Sequence, residues 1–216
     1  MTKVGIIGAT GMAGSAIFKA ASAAGLDVTA IVRNKDKAIR ELGENSQLLV
    51  KDAFSLTKAD LTAFDVVVNA FATAPEKAYL HTDLAAKLIA LLRESNQPRL
   101  IFILGAGSLY TGDDHHLAVE DIRKLPGSEA WVAVPENQLR ELRFLQEVDN
   151  VNWVGISPGL NFVAGKKAEK ILSGKNEVLF DADGKSETTS DTMAAVIVDE
   201  IKQPKHKHER FTVVNG

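Results

Sequence analysis

Lys3-Val4-Gly5-Ile6-Ile7-Gly8-Ala9-Thr10-Gly11-Met12-Ala13-Gly14 opens the chain and decides how the rest is read. A short apolar run ends at Ile7. Glycines then stand at positions 8, 11 and 14, ahead of an alanine-rich stretch. The pattern predicts a strand, a tight turn and a helix that begins at Met12. Gly8 permits the sharp turn, Gly11 lets the backbone approach a phosphate, and Gly14 brings the helix close to the sheet. The first amides of that helix, at the positive end of its dipole, favour an anion. In this context the spacing implies a dinucleotide pyrophosphate carried over Gly8, Ala9, Thr10, Gly11, Met12 and Ala13. The alternative is a strand-to-helix turn that binds nothing.

Beyond this loop, short β-branched runs alternate with amphipathic stretches. Strands are predicted over residues 28–32, 47–50, 65–69, 99–104 and 152–157. Short ones follow at 178–180 and 210–214. Helices are predicted over 12 to about 24, 35–42 (stopped by Gly43), about 75–95, 136 to about 148, and 191–201. Residues 109–130 show no clear period and are expected to form an irregular excursion. Apolar strands separated by helices imply an α/β fold. The expectation is a Rossmann-type, doubly wound, mainly parallel sheet with helices on both faces. No linker or repeat interrupts the chain, so residues 1–216 are read as one domain, with a small C-terminal extension on the substrate side.

Composition narrows the function. The 216 residues are 45% hydrophobic and 25% charged, with no cysteine, which excludes disulfides, thiolate metal sites and a cysteine nucleophile. A net charge of -3 gives no reason to expect nucleic-acid binding. No apolar run reaches the roughly 18 residues of a membrane span, and the first strand leaves no room for a secretory signal. A cytoplasmic protein with no membrane partner, monomeric or homodimeric, is expected.

The second predicted strand ends Ile31-Val32-Arg33-Asn34-Lys35. An acid there would accept from both ribose hydroxyls and repel a 2′-phosphate. Arg33 instead suits adenine stacking and a 2′-phosphate, so NADP(H) is preferred over NAD(H). Arg33 and Lys35 as solvated surface cations is the other reading. Asp52, with Ala53, follows the third strand and either contacts the adenine or caps the next turn. Asn69, Ala70 and Phe71 close the fourth strand, where small residues can lie along the cofactor ribose.

These segments, with Leu104-Gly105-Ala106-Gly107-Ser108-Leu109, resemble the atypical short-chain dehydrogenase/reductases. Within them the chain is similar to the small NAD(P)H-binding group named for NADH-flavin reductase and related to NmrA-like proteins. Trp153 to Pro158, Asp181-x-Asp183-Gly184-x-Ser186 and Arg210-Phe211-Thr212-Val213 follow that group's order. The resemblance implies that Gly8, Thr10, Gly11 and Met12 line the pyrophosphate and that Arg33 meets the adenosine. It implies that Asp52 and Ala53 flank the adenine, with Asn69, Ala70 and Phe71 along the cofactor's middle. Gly105, Ala106 and Ser108 would border the nicotinamide, and Pro158, Gly159 and Leu160 would close over it.

The main branch of that superfamily takes its proton from Tyr-x-x-x-Lys on the helix after the fifth strand. Here that helix carries neither tyrosine nor lysine, and no catalytic residue is assigned. Transfer of a hydride to a flat ring such as flavin or quinone depends mainly on stacking geometry. An NADPH-dependent oxidoreductase lacking that pair is therefore expected. The alternative is a non-catalytic NADP(H)-sensing regulator or partner-binding protein. The substrate would sit between Phe71, Ser108, the 109–130 excursion and Leu160-Asn161-Phe162. Ser108 either bonds a substrate carbonyl or closes its own turn. His115 and His116 are expected at the surface, His81 as a satisfied helix histidine, and His206 and His208 in a solvated turn rather than on a metal.

Overall fold

The computed structural model describes all 216 residues. In chain order the first half holds β1 (Lys3–Ile7), α1 (Met12–Ala23), β2 (Asp27–Val32), α2 (Lys35–Leu42), β3 (Gln47–Val50), α3 (Lys58–Leu61), β4 (Val66–Asn69), α4 (Leu80–Leu92) and β5 (Arg99–Ile103). A hairpin of β6 (Tyr110–Thr111) and β7 (His116–Leu117) leads into α5 (Ala118–Ile122) and α6 (Ala133–Gln146). The rest comprises β8 (Trp153–Ser157), β9 (Asn161–Val163), β10 (Ile171–Gly174), β11 (Glu187–Thr189), α7 (Ser190–Lys202) and β12 (Glu209–Asn215).

Eight strands form one sheet in the order β3-β2-β1-β4-β5-β8-β12-β10. All neighbours are parallel except β10, which runs antiparallel to β12 at the edge. The expected mainly parallel, doubly wound sheet is present. Its winding reverses between β1 and β4, since β2 and β3 lie on one side and β5 on the other. Ligands of such sheets bind beyond the carboxyl ends of the strands at this reversal.

Strand periodicity sorts the core into two layers. Ile6, Val66 and Val68 point to one face, where they meet Ile17 of α1 and Ile197 of α7. Ile7 and Val67 point to the other, with Leu88 of α4, Leu142 of α6 and Trp153. Both faces are buried, which is why the strands read as unbroken apolar runs.

Three expectations need correction. The helix expected over 75–95 is a single 3-10 turn at Pro75–Lys77 followed by α4 from Leu80 to Leu92. Proline still opens the segment, but the backbone breaks before the buried leucine face begins. Residues 178–180 form no strand. Val178 is buried against Leu109 and Ala118, so its apolar character marks packing, and the edge strand lies at Ile171–Gly174 instead. The 109–130 excursion contains a hairpin, one short helix and a 3-10 turn, each too short to leave a period in the sequence. No helix is long and apolar enough to cross a membrane.

Candidate functional site

The glycine loop follows β1 and meets the reversal point. Gly8 has φ +77°, a region that disfavours side chains, and a Cβ there would stand 2.5 Å from the Ala70 carbonyl oxygen. A Cβ on Gly14 would overlap the Gly8 carbonyl. Both positions accept only glycine. Around Gly11 a Cβ would meet nothing closer than Gly8 O at 3.3 Å, so its open side faces the cleft. Gly11 is also the N-cap of α1. No side chain caps that end and no acid lies in its first turn. By contrast, Asn34 caps α2 by accepting from the Lys37 amide at 2.9 Å. The amides at the start of α1 are therefore left for an anion from outside.

A cleft of about 460 Å³ runs from this loop across the carboxyl ends of β1, β2 and β4. That volume falls in the range of small-molecule sites. A hollow of about 500 Å³ beside Met1, Phe18 and Leu26 lies at the other edge of the sheet, by the start of β2, where such folds do not hold their ligands. Gly8, Thr10, Gly11, Arg33, Asp52 and Ala53 all border the cleft, as do Ala70 and Phe71. Lys37 and Lys51 join them, and Lys35 does not. Ala9 is fully buried beneath the loop, Met12 is exposed on α1 and Ala13 is half-buried beside it. Asn69 is buried, where its Oδ1 accepts from the Phe71 amide at 3.3 Å and shapes the strand end.

Arg33 is 77% exposed and stands 4.0 Å from Asp52 Oδ2. Such an open pair contributes little and leaves the guanidinium free to meet a ligand. Asp52 caps the 3-10 turn at Ala53–Ser55, accepting from the Phe54 amide at 2.8 Å. Its other oxygen faces Arg33, so it stands on the cleft wall while acting as a cap. Phe54 and Phe71 meet edge to face, centroids 6.1 Å apart, and give the cleft an aromatic side.

The region past β5, outside the cleft lining, is built differently. Gly105 is covered by the Gln138 amide of α6. Ser108 is 2% exposed, donates from Oγ to the Gly105 carbonyl at 2.9 Å and accepts from Arg210 Nη1 at 2.9 Å. It closes its own turn and has no hydroxyl proton left for a substrate. Ala106 is half-buried beside it. Pro158 and Gly159 are buried, with the Gly159 amide bonded to Thr188 Oγ1. Leu160 is exposed, while its amide is held by Ser186.

Arg210, 6% exposed on β12, also reaches Ser157 Oγ at 3.1 Å, Ser108 O at 3.2 Å and Asn176 Oδ1 at 3.0 Å. No carboxylate pairs with it, and burial pulls its pKa down to about 10. Sequence reading noted Arg210 only within a motif. Its partners lie 34 to 102 positions away, so no local spacing announces them.

The histidines of α4 and of the 206–208 turn differ from expectation. His81 is buried, and its Nε2 has no hydrogen-bond partner. Desolvation on α4 pulls its pKa down to about 4. The His206 turn is anchored rather than solvated: Nδ1 lies 2.9 Å from Glu200 Oε2, and the ring stacks on Phe211 at 4.0 Å. Arg99 Nη2 donates to Glu200 Oε1 at 2.5 Å. Burial alone would raise the Glu200 pKa, but Arg99, His206 and two amides outweigh it and hold the carboxylate charged. The His208 ring bonds the Val151 carbonyl oxygen. His115 is exposed, and His116 is clasped between Asp114 and Asp121, which raise its pKa. No three His, Asp or Glu side chains gather as a metal site.

An uncapped helix start, an enforced glycine turn, a free arginine and an aromatic wall on one cleft fit a dinucleotide. Known proteins agree. The chain matches, over residues 8–204, a family described as NAD(P)H-binding. YwnB of Bacillus subtilis, an uncharacterized protein, is 39% identical over 214 residues, 99% of this chain and 98% of that one. A crystal structure from Lactobacillus casei superposes with a TM-score of 0.91 at 38% identity, covering 99% of both chains. Another, from Streptococcus pneumoniae, bears the provisional name NADH-flavin reductase. It gives 0.89 at 30% identity over 100% of both chains. The chain therefore belongs to the NAD(P)H-binding family, and its cofactor is a nicotinamide dinucleotide.

Proposed function

We propose that this protein is an oxidoreductase that uses NADPH to reduce a flat conjugated acceptor, a flavin or a quinone. The observation that carries the reading is the cleft itself. It joins the glycine loop and the free Arg33 to the Phe54–Phe71 wall, in one space beyond the strand ends. The first-turn amides of α1 hold the pyrophosphate, and the Gly8–Gly14 packing keeps them aimed. Arg33, with Lys37 behind it, pairs with the 2′-phosphate, which NADH lacks. Phe71 offers a ring face on which a planar acceptor can stack. Bound NADPH supplies the hydride. The protein's share is to align the two rings and exclude water. The provisional name of the Streptococcus pneumoniae neighbour supports the same class of acceptor.

The test is steady-state oxidation of NADPH and NADH with FMN, FAD and a set of quinones. Turnover with at least one acceptor, and a lower KM for NADPH than for NADH, is expected. A purified protein that binds NADPH yet turns over none of them overturns the reading and favours a dinucleotide sensor.

A further inference from the structure

The helix after the fifth sheet strand carries no tyrosine or lysine, but α6 does carry a buried acid. Glu141 is 1% exposed, and its Oε2 has no hydrogen-bond partner. Across the seam between α6 and α4 it faces His81, whose Nε2 is equally unpartnered. His81 Nδ1 lies 3.9 Å from Glu141 Oε2, beyond a hydrogen bond. A buried polar group left unmet costs about 1–3 kcal/mol, whereas apolar groups of the same shape would cost nothing. Places that break a folding rule without compensation are where functional or strained sites are expected.

Their position gives that function a direction. The Phe71 ring meets the His81 ring edge-on at 5.5 Å, and both Phe71 and Leu80 line the cleft. One turn before Glu141 on the same helix, Gln138 lies against Gly105 at the end of β5. The pair thus stands one ring behind the cleft wall, near the adjacent ends of β4 and β5.

We propose that His81 and Glu141 form a proton relay for the reducing end of the cleft, with Phe71 as the ring that parts them from it. This rests on the reading of the protein as a reductase. A flavin or quinone that has gained an electron pair needs one proton. As Phe71 turns aside, the His81 Nε2–H bond breaks and the acceptor's new N–H or O–H bond forms. Nδ1 takes the Glu141 carboxyl proton as the two side chains close the last ~1 Å to hydrogen-bond distance. Before the next turnover Nε2 takes a proton from solvent past the displaced Phe71 and the Nδ1 proton returns to the Glu141 carboxylate, which restores both groups.

Both groups begin neutral, because burial raises the Glu141 pKa well above its usual value and lowers that of His81. Of the ionisable groups on the packed elements, Glu76, Lys77, Tyr79, Asp83, Arg140 and Arg143 are exposed. Glu136 is paired with Arg123, and Lys87 lies nearly two turns further along α4.

Glu141→Leu, His81→Phe and the double variant test this, with folding checked by circular dichroism and cofactor binding by NADPH titration. In each, kcat should fall about a hundredfold or more while KM and NADPH affinity stay within about twofold. Wild-type kcat should decline at alkaline pH as Glu141 loses its proton, and the variants should lack that limb. The double variant, free of unmet polar groups, should melt at a higher temperature than the wild type. In cofactor-free protein, NMR of the His81 ring should show a neutral imidazole from about pH 5 to 8. If Glu141→Leu does not fold, Glu141→Gln carries the same kinetic expectation. A lower melting temperature with undiminished turnover overturns the relay alone. No wild-type turnover with any acceptor overturns the reductase reading and the relay with it.

Discussion

The two ends of the strand reversal, the cleft and the region past it, are made of opposite materials. Around the glycine loop the structure offers backbone: uncapped amides, glycines that nothing can replace, and one arginine 77% exposed. Past β4 and β5 it offers buried side chains: Ser108, Ser157, Arg210, His81 and Glu141, all within 6% exposure. The first end is preformed and waits for a ligand's charge. The second has met most of its polar groups internally, and only His81 and Glu141 are left unmet. A preformed anion site and a largely self-satisfied cluster of side chains thus stand side by side.

Two arginines break or sharpen this contrast most strongly. Arg210→Met would strip Ser108, Ser157 and Asn176 of a shared donor in a buried site. Charge-assisted bonds contribute about 1.5–3 kcal/mol each, though not additively, so a loss of about 3 kcal/mol or more is expected in urea unfolding. Arg33→Ala should leave the same unfolding curve within about 0.5 kcal/mol, because its only pair is exposed. Equal destabilisation by the two would dissolve the distinction.

Acid comes next in size. The folded-state pKa of His81 is pulled to about 4 from 6.5, so the folded protein resists its protonation. Its contribution to stability is whole above pH 6.5 and is lost as pH falls through 4, a difference on the order of 3 kcal/mol. Glu141 acts with the opposite sign: its raised pKa gives stability at low pH that is lost as pH rises through the folded value. His81→Phe should therefore flatten the acid limb of stability while keeping the alkaline one. An unchanged acid limb would show that His81 is solvated.

The same contrast explains what could be read from sequence. The glycine loop was legible because a backbone demand fixes residue identity: φ +77° and a 2.5 Å approach leave Gly8 no substitute. The inner strands of the central sheet were legible because burial on both faces favours apolar residues, whereas the half-exposed edge strand β10 gave no such run. The far end was not. Arg210 meets Ser108 across 102 positions, so no window contains both partners. His81 read as an ordinary helix residue because its oddity lies in what α6 fails to offer it. Val178 read as a strand because burial in a loop and burial in a sheet select the same side chains.

Cofactor choice is a smaller and cleaner test of the loop end. Arg33→Asp replaces a guanidinium with a carboxylate where a 2′-phosphate would lie. It should weaken NADPH by about ten- to a hundredfold, or 1.4–2.7 kcal/mol, and leave NADH unchanged or improved. Fluorescence titration of both dinucleotides reads this directly. An unaltered ratio removes Arg33 from the site.

Asp52 carries the smallest expected effect and the finest distinction, since it is a cap and a cleft wall at once. Accepting from the Phe54 amide at 2.8 Å, it holds the turn that presents Phe54 to Phe71. Losing a cap costs about 1 kcal/mol, so Asp52→Ala should lower the unfolding free energy by that much. Asp52→Asn keeps an acceptor for the Phe54 amide and should recover most of it. The two variants part company at the adenine. If Asp52 accepts from the adenine amino group, both should weaken NADPH and NADH alike, because the base is common to them. If it serves only as a cap, Asp52→Asn should bind both dinucleotides as the wild type does, and Arg33 alone carries the side-chain recognition at this end.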